Sequence, residues 1–394
     1  MKPSRLARGW WGVVAGVVVV GLTTGPQLGA ELANALPTTT TSITVSPSST
    51  TTTVVGGSTT TTAPTGSTTT LPTSSTTTTA PTGSTTTLLT GSTTTTLPVT
   101  RRVTTPVWPA KGSAALAIPQ LNVGVSSPHQ PIVPIASLTK LMTVWIVLHQ
   151  FPLVNNGLGA CETVSAHDVA LYRHDVAQQQ SVVAVALGQR ICERTLLRGV
   201  IVHSAGDYAQ LLVQLTGLST PQFVTLMNRE ALAMGMSHTH YVDVTGISAG
   251  DVSTASDQLI ITIAVMTNEP LIRSIATLTK VWLPVQGVVG TFTPDLGYDG
   301  VAGVKSGYTQ AAGGCDAMAV NLRLNSTIIT TYLVVLGQQS NNALALAGSV
   351  ALALYRSVRP SIARVMTPNG LQVEWVGSLA DVTTPSPTPA NTTK

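Results

Sequence analysis

The chain has 394 residues, only 9% of which are charged, and its formal net charge is +4. The whole excess lies before position 103, where five Lys and Arg residues stand against one acidic residue, Glu31, so the rest of the chain is neutral. Because a nucleic-acid-binding domain needs a basic face, this distribution argues against that class, and no nucleic acid is expected as a partner.

Residues 1–35 are predicted to be a signal peptide or an N-terminal anchor. Basic residues open the chain, and the apolar run 9–22 that follows is shorter than the roughly 20 residues that span a bilayer comfortably. Ala33-Asn34-Ala35 supplies a small-x-small site, so cleavage is predicted after Ala35. The alternative is an uncleaved segment that anchors the protein in the membrane. In either case we expect the folded domain to be exported, to the extracellular face of the cytoplasmic membrane or to the cell wall.

Residues 36–106 are predicted to be a disordered stalk. They consist mostly of Thr and Ser with Pro and Gly, and a segment with so few apolar side chains cannot bury a core. The sequence of residues 63–71 returns at 80–88, a period of 17, but it offers no apolar face on which repeats would stack. The segment is therefore expected to be an extended spacer.

Residues 107–366 are predicted to form one α/β domain. The periodicity predicts short strands with a turn over 112–125 and a helix over 137–150. The further expected elements are, in chain order, helices over 195–215, 220–234 and 257–266, strands over 301–304, 317–322 and 328–336, and a helix over 343–358. Strands at both ends with helices between them indicate an inserted helical subdomain. Residues 367–394 are expected to be a short, largely disordered extension, in which 367–379 has room for one or two strands.

Candidate chemistry begins with Ser137 and Lys140. Three residues apart on a helix, they share a face, so the Lys140 amine reaches the Ser137 hydroxyl and, once desolvated, accepts its proton. The spacing alone is also typical of an ordinary helix start with a solvated lysine. Two later segments strengthen the catalytic interpretation, namely Ser204-Ala205-Gly206 and Lys305-Ser306-Gly307.

With the segments around them, these residues resemble the serine-type D-alanyl-D-alanine carboxypeptidases among the low-molecular-mass penicillin-binding proteins. The similarity runs from about residue 113 to residue 357, in blocks that keep the family's order. These blocks are 134–143, 196–204, 223–228, 233–236, 245–247, 253–257, 303–309 and 312–313. The resemblance implies the fold of the serine β-lactamases and DD-peptidases, an antiparallel sheet flanked by helices with an inserted all-helical subdomain. It also makes 107–366 the catalytic domain.

The resemblance implies a catalytic role for three residues. Ser137 would attack the carbonyl between the two terminal D-alanines of a peptidoglycan stem peptide and form an acyl-enzyme, and β-lactam antibiotics would acylate it in the same way. Lys140 would be its base, and Ser204 would relay a proton to the departing D-alanine. No cofactor and no metal are implied.

Four further residues are implied to bind the substrate. Lys305 and the hydroxyl of Ser306 would hold the free carboxylate of the peptide. Gly307 would let the peptide lie along the strand as an added β-strand. The backbone N–H groups of Ser137 and Tyr308 would form the oxyanion hole.

One position departs from the family pattern. The second family motif is Ser-x-Asn, and here its third residue is Gly206, which supplies no side-chain donor or acceptor. Asp207 follows, but an aspartate also follows the asparagine in ordinary members. A second hypothesis is therefore a weakly acylating or non-catalytic homologue that binds the cell wall with the same groove.

Two other hydrolase classes fit less well. A β-lactamase needs a Glu-x-x-Leu-Asn type loop after the second motif, and the sequences around Glu230 and Glu269 do not match one. A zinc hydrolase would need more than the pair His238 and His240, which no H-E-x-x-H sequence or cysteine pair accompanies. Two ordinary loop histidines are the simpler interpretation.

Three cysteines in an exported chain leave one unpaired. In the fold implied by the resemblance, the segments of Cys161 and Cys192 flank each other in a small antiparallel sheet, so a disulfide is predicted between them. Cys315 would then be a buried free thiol.

Overall fold

The computed structural model describes residues 53–55, 58–60, 102–153, 157–365 and 373–375. The chain divides into two units, one of residues 21–96 and one of residues 1–20 with 97–394. In the first unit, the described residues form an antiparallel hairpin of β1 (Thr53–Val55) and β2 (Ser58–Thr60). The predicted signal peptide or anchor, most of the predicted stalk and most of the predicted C-terminal extension lie outside the described residues.

The second unit alternates strands and helices. Its strands are β3 (Arg102–Thr104), β4 (Ser113–Ile118), β5 (Val123–Ser126), β6 (Val133–Pro134), β7 (Cys161–Thr163), β8 (Arg190–Cys192), β9 (Val252–Ser253), β10 (Lys280–Leu283), β11 (Gly287–Gly290), β12 (Val301–Thr309), β13 (Gly313–Leu324), β14 (Thr327–Gln338) and β15 (Val373–Trp375). Its helices are α1 (Thr139–Gln150), α2 (Ala166–Ala177), α3 (Glu193–Val202), α4 (Gly206–Leu215), α5 (Thr220–Ala233), α6 (Ala255–Asn268), α7 (Pro270–Ala276) and α8 (Ala343–Val365).

Five strands form the main sheet, in the order β12-β13-β14-β4-β5, and every neighbouring pair is antiparallel. Short turns join β12 to β13 and β13 to β14, so these strands pair with their sequence neighbours. β4 pairs with β14 from the other end of the domain, with Ala117 opposite Tyr332. The predicted antiparallel sheet is confirmed, and β12 continues past the predicted 301–304 to Thr309, so it includes Lys305, Ser306 and Gly307.

The sheet separates two apolar clusters. On one face, alternate residues of β4, β13 and β14 pack against α8, with Ala351, Tyr355 and Val358 fully or almost fully buried. On the other face, residues such as Ala115 and Ala317 join a larger cluster that contains α1, α3, α4, α5 and α6. This alternation follows from the two-residue period of a strand. The predicted insertion of helices between the outer strands is confirmed.

Local hydrogen bonds fix several helix starts. Ser165 and Asp168 form a reciprocal capping box before α2, and Ser219 and Gln222 form another before α5. Thr254 accepts the N–H of Asp257 at the start of α6.

Among the described residues, no single helix has the length and apolar composition to cross a membrane. Only α6 and α7 taken together have that length and composition, and the two helices are bent by 105° relative to each other.

The prediction of one helix over 195–215 was wrong. The segment forms two helices, α3 and α4, with a break over 203–205. Ser204 has a φ of +59°, in the left-handed region, and a right-handed helix cannot pass through that conformation. The break turns the Ser204 side chain out of the helix pattern and toward the sheet.

The cysteine predictions are confirmed. β7 and β8 pair antiparallel with Cys161 opposite Cys192, and the two residues form a disulfide. Cys315 on β13 is a free, fully buried thiol, and burial raises its pKa to about 12.

Candidate active site

A groove of about 470 Å³ lies between the β12 edge of the sheet and the helices. All the predicted site residues except Lys305 line the groove. Lys305 donates a hydrogen bond to Ser204, which does line it. The lining residues are Ser137, Lys140, Gln178, Gln179, Gln180, Ser181, Ser204, Gly206, Thr245, Gly246, Ile247, Phe292, Ser306, Gly307, Tyr308, Thr309, Gln310 and Leu344. The structure therefore brings together side chains that are distant in sequence.

Ser137 lies in the short 3-10 turn Ala136–Leu138 that leads into α1. Lys140 is in the first turn of α1, buried to 3% exposure, and its Nζ donates to Ser137 Oγ over 3.0 Å. The same Nζ donates to the carbonyl of Thr245 at 2.5 Å. The Lys140 amine is thus held beside the Ser137 hydroxyl by a backbone acceptor on the opposite wall.

Burial lowers the pKa of Lys140 to about 8. Removal from water disfavours the ammonium, and the nearby carboxylates of Asp243, Asp207 and Asp251 partly oppose that effect. A lysine with this pKa is partly neutral near neutral pH, so Lys140 can accept the proton of Ser137.

The loop after α5 holds the Thr245 carbonyl in place. Asp243 accepts the N–H groups of Thr245, Gly246 and Ser248 at 2.6 to 2.7 Å, and these bonds keep its pKa below the ordinary value despite burial. Gly246 has a φ of +80°, and a Cβ at this position would lie 1.9 Å from the carbonyl oxygen of Ala136. Only glycine allows this loop to approach the turn that carries Ser137.

Lys305 and Ser204 form the second pair. Lys305 is 1% exposed, and its Nζ donates to Ser204 Oγ at 2.9 Å and to the carbonyl of Ser306 at 2.6 Å. Burial, followed by the charge of Lys140, holds the pKa of Lys305 well below its usual range. The left-handed backbone of Ser204 aims its hydroxyl at this amine.

The end of β12 closes the groove against Ser137. A Cβ on Gly307 would lie 2.7 Å from the backbone nitrogen of Ser137, so only glycine lets strand and turn approach this closely. Tyr308 lines the groove and is half exposed. Ser306 also lines it, but its hydroxyl donates to the carbonyl of Phe292 at 2.7 Å. Its one proton is therefore already used, and a substrate carboxylate would have to compete for it.

The family model for D-alanyl-D-alanine carboxypeptidases, Peptidase S11, matches residues 125–340. The chain belongs to this family. The matched range runs from β5 to the end of β14 and includes every residue of both lysine–serine pairs.

Curated relatives match only part of this chain. It is 25% identical over 190 residues to the D-alanyl-D-alanine carboxypeptidase DacF of Bacillus subtilis, an alignment covering 46% of each chain. It is 30% identical over 217 residues to a D-alanyl-D-alanine endopeptidase of Escherichia coli, covering 53% of this chain and 66% of the relative. The chain thus spans less than two thirds of the length of these relatives.

Solved structures support the fold. The Streptomyces K15 DD-transpeptidase covers 64% of this chain with 99% of its own length, at a TM-score of 0.56 and 22% identity. The DacD carboxypeptidase of Francisella tularensis gives a TM-score of 0.55 at 20% identity, over 63% of this chain and 71% of its own. This chain therefore has the predicted DD-peptidase-like fold.

Gly206, where the family pattern has asparagine, is the first residue of α4 and lines the groove. A Cβ at this position would meet nothing closer than Ser181 O at 3.6 Å, and the backbone is not in the left-handed region. Asp207 does not fill the space, because its buried carboxylate accepts the N–H of Val183 instead. Burial raises the pKa of Asp207 to about 7. A Cβ at position 206 therefore has room in the groove.

Sequence reasoning gave no site role to three parts of the groove. Thr245 and Phe292 act through backbone carbonyls, which every residue carries, so no side-chain pattern marks them. The Gln178–Gln180 segment contributes three consecutive amide side chains to the wall, and that run of identical residues was the available signal.

Proposed function

We propose that this chain is a serine DD-peptidase. It cleaves peptidoglycan stem peptides that end in D-Ala-D-Ala, and β-lactams acylate it. The observation that carries the proposal is the 3.0 Å contact between Lys140 Nζ and Ser137 Oγ, in a site that lowers the pKa of Lys140 to about 8. A nucleophile in contact with a partly neutral amine is the arrangement that hydroxyl-based acyl transfer requires.

The proposed reaction has two halves. Ser137 Oγ attacks the carbonyl of the penultimate D-alanine as its proton passes to Lys140, and the C–N bond then breaks. Ser204 donates its proton to the departing D-alanine amine and regains one from the Lys140 ammonium. Water then hydrolyses the ester, so that the peptide leaves as a carboxylic acid and Ser137 Oγ recovers its proton. Lys305, paired with Ser204 at 2.9 Å, is proposed to hold the substrate carboxylate, and Ser306 and Gly307 line that end of the groove. The N–H groups of Ser137 and Tyr308 are proposed to stabilise the oxyanion.

We favour carboxypeptidase over endopeptidase activity, and the curated relatives include proteins with either name. The assay offers the purified chain a pentapeptide ending in D-Ala-D-Ala and, separately, a cross-linked peptide dimer. Release of free D-alanine from the first with an intact dimer supports carboxypeptidase action. Cleavage of the dimer without release of D-alanine from the pentapeptide would instead support endopeptidase action.

The second candidate is a weakly acylating or non-catalytic homologue that binds the cell wall. Two observations favour it, namely Gly206 in place of an amide side chain and the Ser306 hydroxyl engaged with Phe292. Incubation with fluorescent penicillin, compared between the native chain and Ser137→Ala, separates the two candidates. Labelling that the substitution abolishes supports acylation by Ser137, and absence of labelling in both supports the binding homologue.

The proposed substrate also requires an exported protein. We therefore propose that residues 1–35 act as a cleaved signal or a retained anchor and that 36–106 space the domain within the cell wall. Fractionation of cells followed by N-terminal sequencing of the isolated protein tests this. A mature chain starting after Ala35 supports cleavage, and a full-length chain in the membrane fraction supports an anchor.

A further inference from the structure

His203 contacts the end of β11 and the loop that leads from it to β12. It directly follows α3, and its ring nitrogen Nδ1 lies 3.1 Å from the carbonyl oxygen of Gly290. A carbonyl oxygen only accepts, so Nδ1 carries the proton in this hydrogen bond. The imidazole also stacks on the ring of Phe292, with centroids 4.7 Å apart, and the N–H of Phe292 donates to the carbonyl of Val202 at 3.2 Å. Three contacts therefore fix the loop against the end of α3.

The loop in turn contacts a residue that the proposed function assigns to the substrate. The Phe292 carbonyl accepts the hydroxyl of Ser306 at 2.7 Å, and Ser306 is 2% exposed. A hydroxyl has one proton, so Ser306 presents only lone pairs to the groove while this bond is made. A carboxylate is also only an acceptor, and lone pairs that face it repel it. To bind a substrate carboxylate, Ser306 must therefore turn its proton away from the Phe292 carbonyl.

We infer that His203 is a positioning residue that acts through Phe292 on Ser306 and lowers the affinity of the groove for the substrate carboxylate. The inference rests on the proposed function, because it takes Ser306 as a ligand of that carboxylate. A loop that is free to move can withdraw its carbonyl and expose it to water when the Ser306 proton turns. The loop held by His203 can withdraw only by breaking the ring stack and the bond to Gly290, so the proton stays on Phe292.

The test measures the binding of a peptide ending in D-Ala-D-Ala by isothermal titration calorimetry. Ser137→Ala is the background, so that no peptide is cleaved during the titration. Adding His203→Ala should tighten binding about 10-fold, because the Ser306 hydroxyl is then free to donate to the carboxylate, and a hydrogen bond to a charged group contributes at least about this factor. The same peptide with a terminal carboxamide should bind both chains about equally, because its NH₂ group can donate to the Ser306 oxygen in either chain.

Further variants show whether the effect passes through these contacts. Ser306→Ala removes the hydroxyl, so adding His203→Ala to it should leave the affinity unchanged. His203→Phe keeps a ring against Phe292, and His203→Asn keeps a donor for Gly290, so each should give an affinity between those of the native residue and His203→Ala. His240→Ala is the matched control, because it removes an exposed imidazole that does not line the groove, and it should leave the affinity unchanged. Thermal unfolding followed by circular dichroism verifies that each variant is folded.

Two results would overturn the inference. One is a folded His203→Ala chain that binds the free-carboxylate peptide no more tightly, and the other is an equal gain in affinity when Ser306 is already alanine. The proposed function is tested separately, by fluorescent penicillin on a chain that retains Ser137. Failure of penicillin to label that chain contradicts the proposed function, whereas tighter peptide binding by the His203 variants still supports the action of His203 on Ser306.

Discussion

Replacing Gly206 by asparagine introduces an amide at a position where the groove has room for a Cβ. The new Cβ would lie 3.9 Å from Cγ2 of Thr245, whose carbonyl accepts a hydrogen bond from Lys140 Nζ, and we expect the amide to reach the same amine. A hydrogen bond to a charged group contributes about 1.5 to 3 kcal/mol. If that energy is gained in the transition state, Gly206→Asn should increase the acylation rate by about 10- to 150-fold.

The assay is the rate of acylation by fluorescent penicillin at fixed pH. Gly206→Ala is the control, because its Cβ meets the same neighbours at 3.6 Å or more but adds no amide, and it should leave the rate close to that of the native chain. The bond between the Gly206 N–H and Ser181 O is retained in both variants. An unchanged or lower rate in a folded Gly206→Asn chain would refute the idea of an enzyme weakened only by a missing amide.

Three other predictions concern the base, the strand and the disulfide. The acylation rate should rise with pH through about 8, because the neutral Lys140 amine is the base, and a flat profile would contradict that role. Gly307→Ala should lower the acylation rate about 10²-fold, because the new Cβ would lie 2.7 Å from the Ser137 nitrogen and displace it. An unaltered rate would show that β12 moves to accept the Cβ without disturbing the site. Replacing both Cys161 and Cys192 by serine opens a bridge of sequence separation 31 and should lower the free energy of unfolding by about 3 to 4 kcal/mol, as measured by urea denaturation. A loss below about 1 kcal/mol would refute that estimate.

The five strands of the main sheet and most helices could be predicted because their apolar periodicity agrees with the fold. The helix expected over 220–234 is α5, and the strand expected over 328–336 is the centre of β14. The helix break at Ser204 could not be predicted, since residues before and after it keep a helical apolar spacing and only tertiary contacts hold its left-handed backbone.

The site was predictable where it depends on side chains in ordered motifs. Ser137, Lys140, Ser204 and Lys305 were named from sequence, and the structure places them in two contacting pairs. The engagement of the Ser306 hydroxyl with Phe292 was not predictable, because it depends on where a loop carbonyl lies after folding.

The pairing of β4 with β14 has a consequence for how the chain folds. Ala117 and Tyr332 are neighbours in the sheet but stand more than two hundred positions apart in sequence. As synthesis proceeds, the apolar edge of β4 therefore stays without its partner until β14 has been made, and closing so long a loop is slow. An unpaired apolar edge is a template for aggregation. A chain truncated before β14 should accumulate as insoluble material, whereas a chain ending after α8 keeps all five strands of the sheet.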